Sequence, residues 1–231
     1  MQISIAAIIC AAGTSQRFAD RMGNKKKEYL PLSGGSSLTV LGAAVSAFFT
    51  CPEITPIVIA VSSPEEAKAS LPPELLEQDR ILFASGGPSR RASVYNSLLL
   101  LEPHNPSHVL IHDGARPWIK PCLIERIIEA AIKYGAVIPA LPLVETPKEL
   151  KQSGSSEIQF IERHLRRTQI YTAQTPQGFQ FPQILSAHKK ALENENYEYT
   201  DDAEVWGEFI GEVAVIEGDG ENRKITFPGD I

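Results

Sequence analysis

Residues 8–30 read IICAAGTSQRFADRMGNKKKEYL, and the fold turns on how this stretch is understood. Residues 3–9 form a short apolar run that suits a buried strand. Ala11, Ala12 and Gly13 follow, then polar residues that include Arg17, Arg21 and three consecutive lysines, Lys25, Lys26 and Lys27. Small residues after a buried strand let backbone N–H groups approach an anion, and the basic residues can neutralise phosphate charge. The same pattern also fits an ordinary strand-to-loop turn followed by a solvated basic segment, because short glycine motifs recur by chance.

Outward from this stretch, strand and helix signals alternate. Leu38, Leu41, Val45 and Phe48 recur at helical spacing and predict a helix over residues 37–50. PIVIAV at residues 56–61 is short, apolar and β-branched, as a strand should be. Ser62 and Ser63 before Pro64 predict a helix start, with proline tolerated in the first turn, running to Leu71. A third strand is expected over residues 81–84 and leads into Gly86 and Gly87; Val94, Leu98 and Leu101 then mark another helical face. Residues 108–112 predict a fourth strand, followed by the loop DGARP. A helix over residues 121–134 has Gly135 placed as its terminator. This alternation predicts an α/β fold with a mostly parallel, twisted, doubly wound sheet.

The pattern breaks at residues 141–171. KQSGSSE at residues 151–157 reads as a turn between two short extended runs, so a β-hairpin arm projecting from the sheet is expected. Two-stranded arms are not stable alone in water, and a second subunit is the expected partner, with packing back on the same domain as the alternative. Beyond the arm, helices are expected over residues 181–192 and 201–209, with Thr200 as a candidate cap. A strand over residues 213–217 and a short final one over 223–226 complete the reading.

Composition limits the possible functions. The chain has 231 residues, enough for a single domain with a full core. A net charge of −6 leaves no global field to attract nucleic acid or an anionic membrane, so any anion site must be local. Cys10, Cys51 and Cys122 lack the spacing of a zinc site or a disulfide framework, which suits a reducing cytoplasm. No basic leader precedes the first strand, and no apolar run reaches the ~18 residues of a membrane span.

Ligands on open α/β sheets bind beyond the carboxyl ends of the strands. Three chemically rich loops fall there: AAGTSQR, GGPSRRAS and HDGARP. The first has a single glycine rather than G-x-G-x-x-G, and no segment matches a P-loop ending in GK[ST]. His112 reads as a packing residue at a strand end.

AAGTSQR with KKKEYL, then GGPSRRASV, VLIHDGARP, VETPK, AQTPQGF, TDDAEV and GENRKIT, resemble in this order the 2-C-methyl-D-erythritol 4-phosphate cytidylyltransferases of the non-mevalonate isoprenoid pathway. The resemblance spans nearly the whole chain. It implies a Rossmann-like nucleotidyltransferase fold, a homodimer held by the arm, and a divalent cation, usually magnesium. The implied reaction joins CMP from CTP to the methylerythritol phosphate and releases pyrophosphate.

By the same resemblance, Arg17 and Lys27 stabilise the transition state, and Lys224 positions the acceptor phosphate beside the nucleotide. Ala11, Ala12 and Gly13 offer backbone groups to the triphosphate, while Gly87, Arg90 and Ser93 surround the cytosine. Asp113, Arg116, Thr146 and Arg163 contact the acceptor. Arg163 lies in the arm and is expected to serve the neighbouring subunit's site, and Asp113 is the best carboxylate for a metal or a substrate hydroxyl. Three extra residues between Arg17 and Lys27 make Arg21 a rival for the role of Arg17. Ser15 and Pro88 also depart from the family pattern, in the triphosphate and cytosine loops. Relatives often continue past PGDI into a closing helix, so the sheet is expected to close differently here or under a partner. The rival functions are cytidylyl transfer to another polyol phosphate such as ribitol 5-phosphate, a guanylyltransferase of the molybdenum-cofactor type, and a non-catalytic nucleotide sensor.

Overall fold

The computed structural model describes residues 3–13, 18, 26–33, 36–151, 158–194 and 197–231. Arg17, Arg21, Lys25, Ser15 and most of the turn expected at 151–157 lie outside them. In chain order the elements are β1 (Ile5–Cys10), α1 (Val40–Phe49), β2 (Ile54–Val61), α2 (Pro64–Ala69), α3 (Pro73–Leu76), β3 (Ile81–Ser85), α4 (Arg90–Leu101), β4 (His108–Asp113), α5 (Pro121–Tyr134) and β5 (Ala136–Pro142). Then come β6 (Lys148–Leu150), β7 (Ile161–His164), β8 (Tyr171–Ala173), β9 (Gln177–Gln180), α6 (Phe181–Ala191), α7 (Asp202–Phe209) and β10 (Ala214–Glu217).

The main sheet runs β10-β5-β9-β4-β1-β2-β3, with β8 paired to β5. β1 pairs in parallel with both β2 and β4, β2 with β3, and β5 with β10. Among the described residues, β8 and β9 alone run antiparallel to their neighbours in it. Residues alternate across β1, so Ile5, Ala7 and Ile9 face one buried cluster and Ala6 and Ile8 the other. The first cluster is closed by α1 and α5 through Leu41, Val45, Phe48, Leu123 and Ile127; the second by α4, α6 and α7 through Leu98, Leu101, Ile184 and Trp206. Burial of each such large side chain is worth about 1.5–3 kcal/mol, which is what holds helices on both faces.

Local chemistry sets the helix ends that matter. The Thr39 hydroxyl accepts the Gly42 N–H at 2.9 Å and caps α1; Ser89 accepts the Ala92 N–H at 3.1 Å and caps α4. Gly135 ends α5 at φ +83°, a conformation that favours glycine.

The structure differs from the sequence reading in several details, among them α3 and β8, which lie where no element is expected. β5 and β9 were not expected: Pro139 sits inside β5, and β9 carries Gln177 and Gly178, which weaken a strand signal. Residues 223–226 form no strand, because their backbone bonds to loops: the Ile225 N–H donates to Ala115 O at 2.9 Å, and Ile225 O accepts from Lys27. α7 is capped by Asp201 rather than Thr200, with the Asp201 carboxylate accepting the Glu204 N–H at 2.9 Å. The arm does form, as an antiparallel β6–β7 pair in a sheet of its own with Glu149 opposite Arg163.

Candidate active site

The parallel register brings Cys10 level with Asp113 on one side and Ala60 on the other, so β1, β2 and β4 end together. β2 runs one position further to Val61, and β3 ends level with it at Ser85 before leading into Gly86 and Gly87. A cavity of about 480 Å³ opens at this edge, lined by Ala12, Gly13, Lys27, Gly87, Arg90, Asp113 and Lys224 among others. The close approach of the first and third loops depends on Gly86, where a Cβ would collide with that of Ala12. Ser93 braces the third loop: its hydroxyl donates to Ser89 O and accepts the Gly87 N–H, both at 3.0 Å. Ser93 therefore shapes the wall that it lines.

Asp113 is the electrostatic hub. Its carboxylate lies 2.8 Å from Lys224 Nζ, 3.3 Å from Arg90 Nε and 3.8 Å from Arg116 Nε. Burial works against its charge, but Arg90, Lys224 and Arg116 outweigh that and hold the carboxyl well below the usual carboxylate range. A carboxylate so fully matched stays ionised and keeps Arg90 and Lys224 at the cavity wall, with Arg116 packed behind it.

Behind Asp113 a hydrogen-bonded relay fixes the strand end. The Asp113 N–H donates to Thr175 Oγ1 at 3.0 Å, the Thr175 hydroxyl donates to His112 Nδ1 at 3.0 Å, and His112 Nε2–H donates to Arg116 O at 3.2 Å. This pattern assigns the neutral tautomer protonated on Nε2. Burial lowers the His112 pKa to about 4, so His112 is a neutral packing group against Phe48, as the sequence suggested.

Two lysines are tied together across the chain. Lys27 Nζ donates to Ile225 O at 2.6 Å, next to Lys224, and Ile225 packs fully buried with Phe18 and Val40. Lys26 turns elsewhere: its ammonium donates to Ser62 Oγ at 2.6 Å and reaches Ala11 O at 3.5 Å, anchoring the first loop to the end of β2. Burial lowers its pKa from the ordinary value. The loop carrying Lys224 is held further by Asn222, which is fully buried; its Nδ2 donates to Thr175 O at 2.8 Å and its carbonyl accepts Arg116 Nη1 at 2.7 Å.

Ala11 to Gly13, Lys27, Gly87, Arg90, Ser93, Asp113 and Lys224 thus converge at one edge. Arg116 is mostly buried, bonded to the Asn222 carbonyl, and outside the described cavity lining. Thr146 and Arg163 stand exposed on the arm, also outside that lining, and Arg163 Nε meets Glu149 at 2.6 Å. Sequence reasoning missed the roles of Lys26, Thr175 and Asn222, and gave Asp202 only a supporting place at the start of the expected 201–209 helix. All four lie in quoted motifs, KKKEYL, AQTPQGF, GENRKIT and TDDAEV, but their partners are distant in sequence. Among the described residues no group of three or more His, Cys, Asp or Glu is arranged to hold a metal.

The sequence profile of the family described as IspD, 2-C-methyl-D-erythritol 4-phosphate cytidylyltransferase, matches residues 5–231. A protein of Bradyrhizobium sp. (strain ORS 278) named bifunctional enzyme IspD/IspF is 40% identical over 233 residues, covering 98% of this chain and 54% of its own length. The chain spans about half the length of the curated relatives it matches. Among solved structures, 4-diphosphocytidyl-2C-methyl-D-erythritol synthase from Anaerococcus prevotii superposes with TM-score 0.80 at 27% identity, covering 99% of this chain and 92% of that one. The 2-C-methyl-D-erythritol 4-phosphate cytidylyltransferase of Francisella tularensis gives 0.79 at 28% identity, with 98% and 96% covered.

Proposed function

The chain belongs to the 2-C-methyl-D-erythritol 4-phosphate cytidylyltransferase family, and from that premise we propose that it transfers CMP from CTP to 2-C-methyl-D-erythritol 4-phosphate. The products are 4-diphosphocytidyl-2-C-methyl-D-erythritol and pyrophosphate, and the reaction belongs to isoprenoid precursor synthesis. The observation that carries this reading is that Arg90 and Lys224 meet on Asp113, with Lys27 in the same lining, at a glycine-lined cavity on the carboxyl edge of the sheet.

In the proposed reaction a phosphate oxygen of the acceptor attacks the α-phosphorus of CTP in line. The bond from that phosphorus to the β-phosphate bridge oxygen breaks, and pyrophosphate leaves with the electron pair. The nucleophile is already ionised, so the chain supplies positioning and positive charge rather than a general base. Lys27 is assigned to the reacting phosphate, with Arg17 or its rival Arg21 as the second cation, and Lys224 to the acceptor phosphate beside it. Backbone groups of Ala12 and Gly13 receive the triphosphate, and the Gly87–Ser93 loop receives the base.

A divalent cation, magnesium for preference, forms part of the proposal and would add charge neutralisation at the triphosphate. Asp113 does not suit a direct ligand: both its oxygens face cations already, and a metal there would have to displace Arg90 or Lys224. The chemistry of the described residues therefore favours a cation carried in by nucleotide oxygens and water.

Thr146 and Arg163 enter the proposal through a homodimer. Both are exposed on an arm whose Leu150, Ile158, Phe160 and Ile161 are also exposed, an apolar surface that a second copy would cover. In that arrangement the arm offers Arg163 to the acceptor phosphate in the partner's cavity. A cytoplasmic location is proposed on the three unpaired cysteines.

The test is pyrophosphate release from purified protein with magnesium, each nucleoside triphosphate in turn, and either methylerythritol phosphate or ribitol 5-phosphate. Release with CTP and methylerythritol phosphate alone supports the reading. Silence with that pair, beside turnover with GTP or with ribitol phosphate, overturns it.

A further inference from the structure

Behind Arg90, outside the described cavity lining, lies a buried carboxylate that the proposed chemistry leaves unused. Asp202 opens α7, is 1% exposed, and accepts the Arg90 Nη1 hydrogen bond on Oδ2 at 2.8 Å. Its Oδ1 is 3.2 Å from Nε2 of His188, which is fully buried in α6. An ionised carboxylate is costly to bury, and a hydrophobic residue of similar volume often serves stability as well. Stability alone therefore does not account for this charge.

Asp202 is also fixed independently of Arg90. The neighbouring cap residue Asp201 accepts from Gln177 Nε2 at 2.8 Å, and the Ala203 N–H donates to Gln177 Oε1 at 3.1 Å. Gln177 pairs with Ile111 in β4, the strand that ends in Asp113. One strand thus sets the places of both carboxylates. Arg90 bridges them, with Nε toward Asp113 and Nη1 toward Asp202, and its Nη2 edge has no partner among the described residues. The side chain keeps 30% of its surface exposed and lines the cavity.

We infer that Asp202 is a positioning residue for cytidylyl transfer: it takes one end of the Arg90 guanidinium and so holds the remaining edge toward the bound nucleotide. The inference rests on the function proposed above. Without the Asp202 charge, Arg90 has Asp113 as its one remaining carboxylate among the described residues. It would then close on Asp113, compete with Lys224 for it, and turn its fork away from the ligand.

The test is a double-mutant cycle on the full chain with magnesium, CTP and 2-C-methyl-D-erythritol 4-phosphate, reading kcat and the KM for CTP. Asp202→Asn keeps the shape and removes the charge; it should lower kcat/KM by about tenfold or more, as expected for loss of a charge-assisted hydrogen bond. In an Arg90→Ala background the same substitution should change kcat/KM by less than about twofold, because coupled residues are not additive. Arg90→Lys, which keeps charge but lacks the fork, should reproduce the Asp202→Asn kinetics and guards against a variant that fails to fold. Additive losses in the cycle, Asp202→Asn with wild-type kinetics, or Arg90→Lys with wild-type kinetics would each overturn the positioning role. A wild-type protein silent with this substrate pair would instead fell the functional reading on which the inference depends.

Discussion

Asp113→Asn is the most informative single perturbation of the site. Arg90, Arg116 and Lys224 face Asp113, and Asp202 is the other carboxylate that Arg90 meets. The substitution keeps the side-chain volume but removes one of two negative charges from among three positive ones. Breaking a buried ion pair by removing one partner costs about 3–5 kcal/mol. Lys224 is 38% exposed and Arg90 30%, so solvent screens part of the repulsion and the lower end of that range applies, roughly 3 kcal/mol. For a chain of this size that is a fall in Tm of about 6–12 °C.

The loss should hold a constant size between pH 5 and 8. Asp113 is held below its unfolded pKa, so its stabilisation is fully present above that value and fades only as pH falls below it toward the folded pKa. With its phosphate-positioning lysine released, kcat should drop by about 10²–10³, while affinity for the anionic triphosphate should not weaken. The assays are thermal and urea unfolding beside steady-state kinetics, repeated with Lys224→Met and the double variant. Asp113→Asn within 1 kcal/mol of wild type, where about 3 is expected, or a Lys224 coupling below the roughly 0.5 kcal/mol expected of contacting residues, would refute the hub.

Three further outcomes follow from the same geometry. Lys27→Ala should lower kcat far more than it weakens CTP binding measured by calorimetry, and an unchanged kcat would remove Lys27 from the transition state. Arg163→Ala should raise the KM for the polyol phosphate with little effect on CTP, and mixing it with Lys27→Ala should restore some activity if arms serve neighbouring sites; no restoration would return Arg163 to its own chain. His112, with a folded pKa of about 4 against 6.5 unfolded, contributes stability that is full above pH 6.5 and is lost as pH falls toward 4, roughly 3 kcal/mol in all. NMR titration should find its ring neutral at pH 5.5, and a ring that titrates near 6.5 would contradict the buried tautomer.

Much of the fold is legible in the sequence because β1 to β4 are apolar, β-branched and followed by amphipathic helices with visible start signals. The strands that escape notice do so for local reasons. Pro139 disguises β5, and Gln177, which makes β9 look like a loop, is there to hold the start of α7. Thr200 and Asp201 are both good caps, but the Thr200 hydroxyl donates to the Glu204 carboxylate while Asp201 takes the Glu204 N–H and a tertiary bond from Gln177. The same distinction divides the site. Glycines and lysines at the ends of predicted strands can be read locally, whereas Arg90 and Asp202 are 112 residues apart and meet only after the sheet forms. Arg116 belongs with them: beside Asp113 and Gly114 in sequence it looks ligand-facing, yet it folds inward to the Asn222 carbonyl.

The central claim, that an acceptor phosphate attacks the α-phosphorus of CTP in this cavity, is tested most directly by isotope-resolved ³¹P NMR with ¹⁸O in the acceptor phosphate. The label should appear in the bridge and acceptor phosphate of a new cytidine diphosphate ester, with unlabelled pyrophosphate released beside it. Label in pyrophosphate, or hydrolysis of CTP without a new diphosphate, would contradict the account.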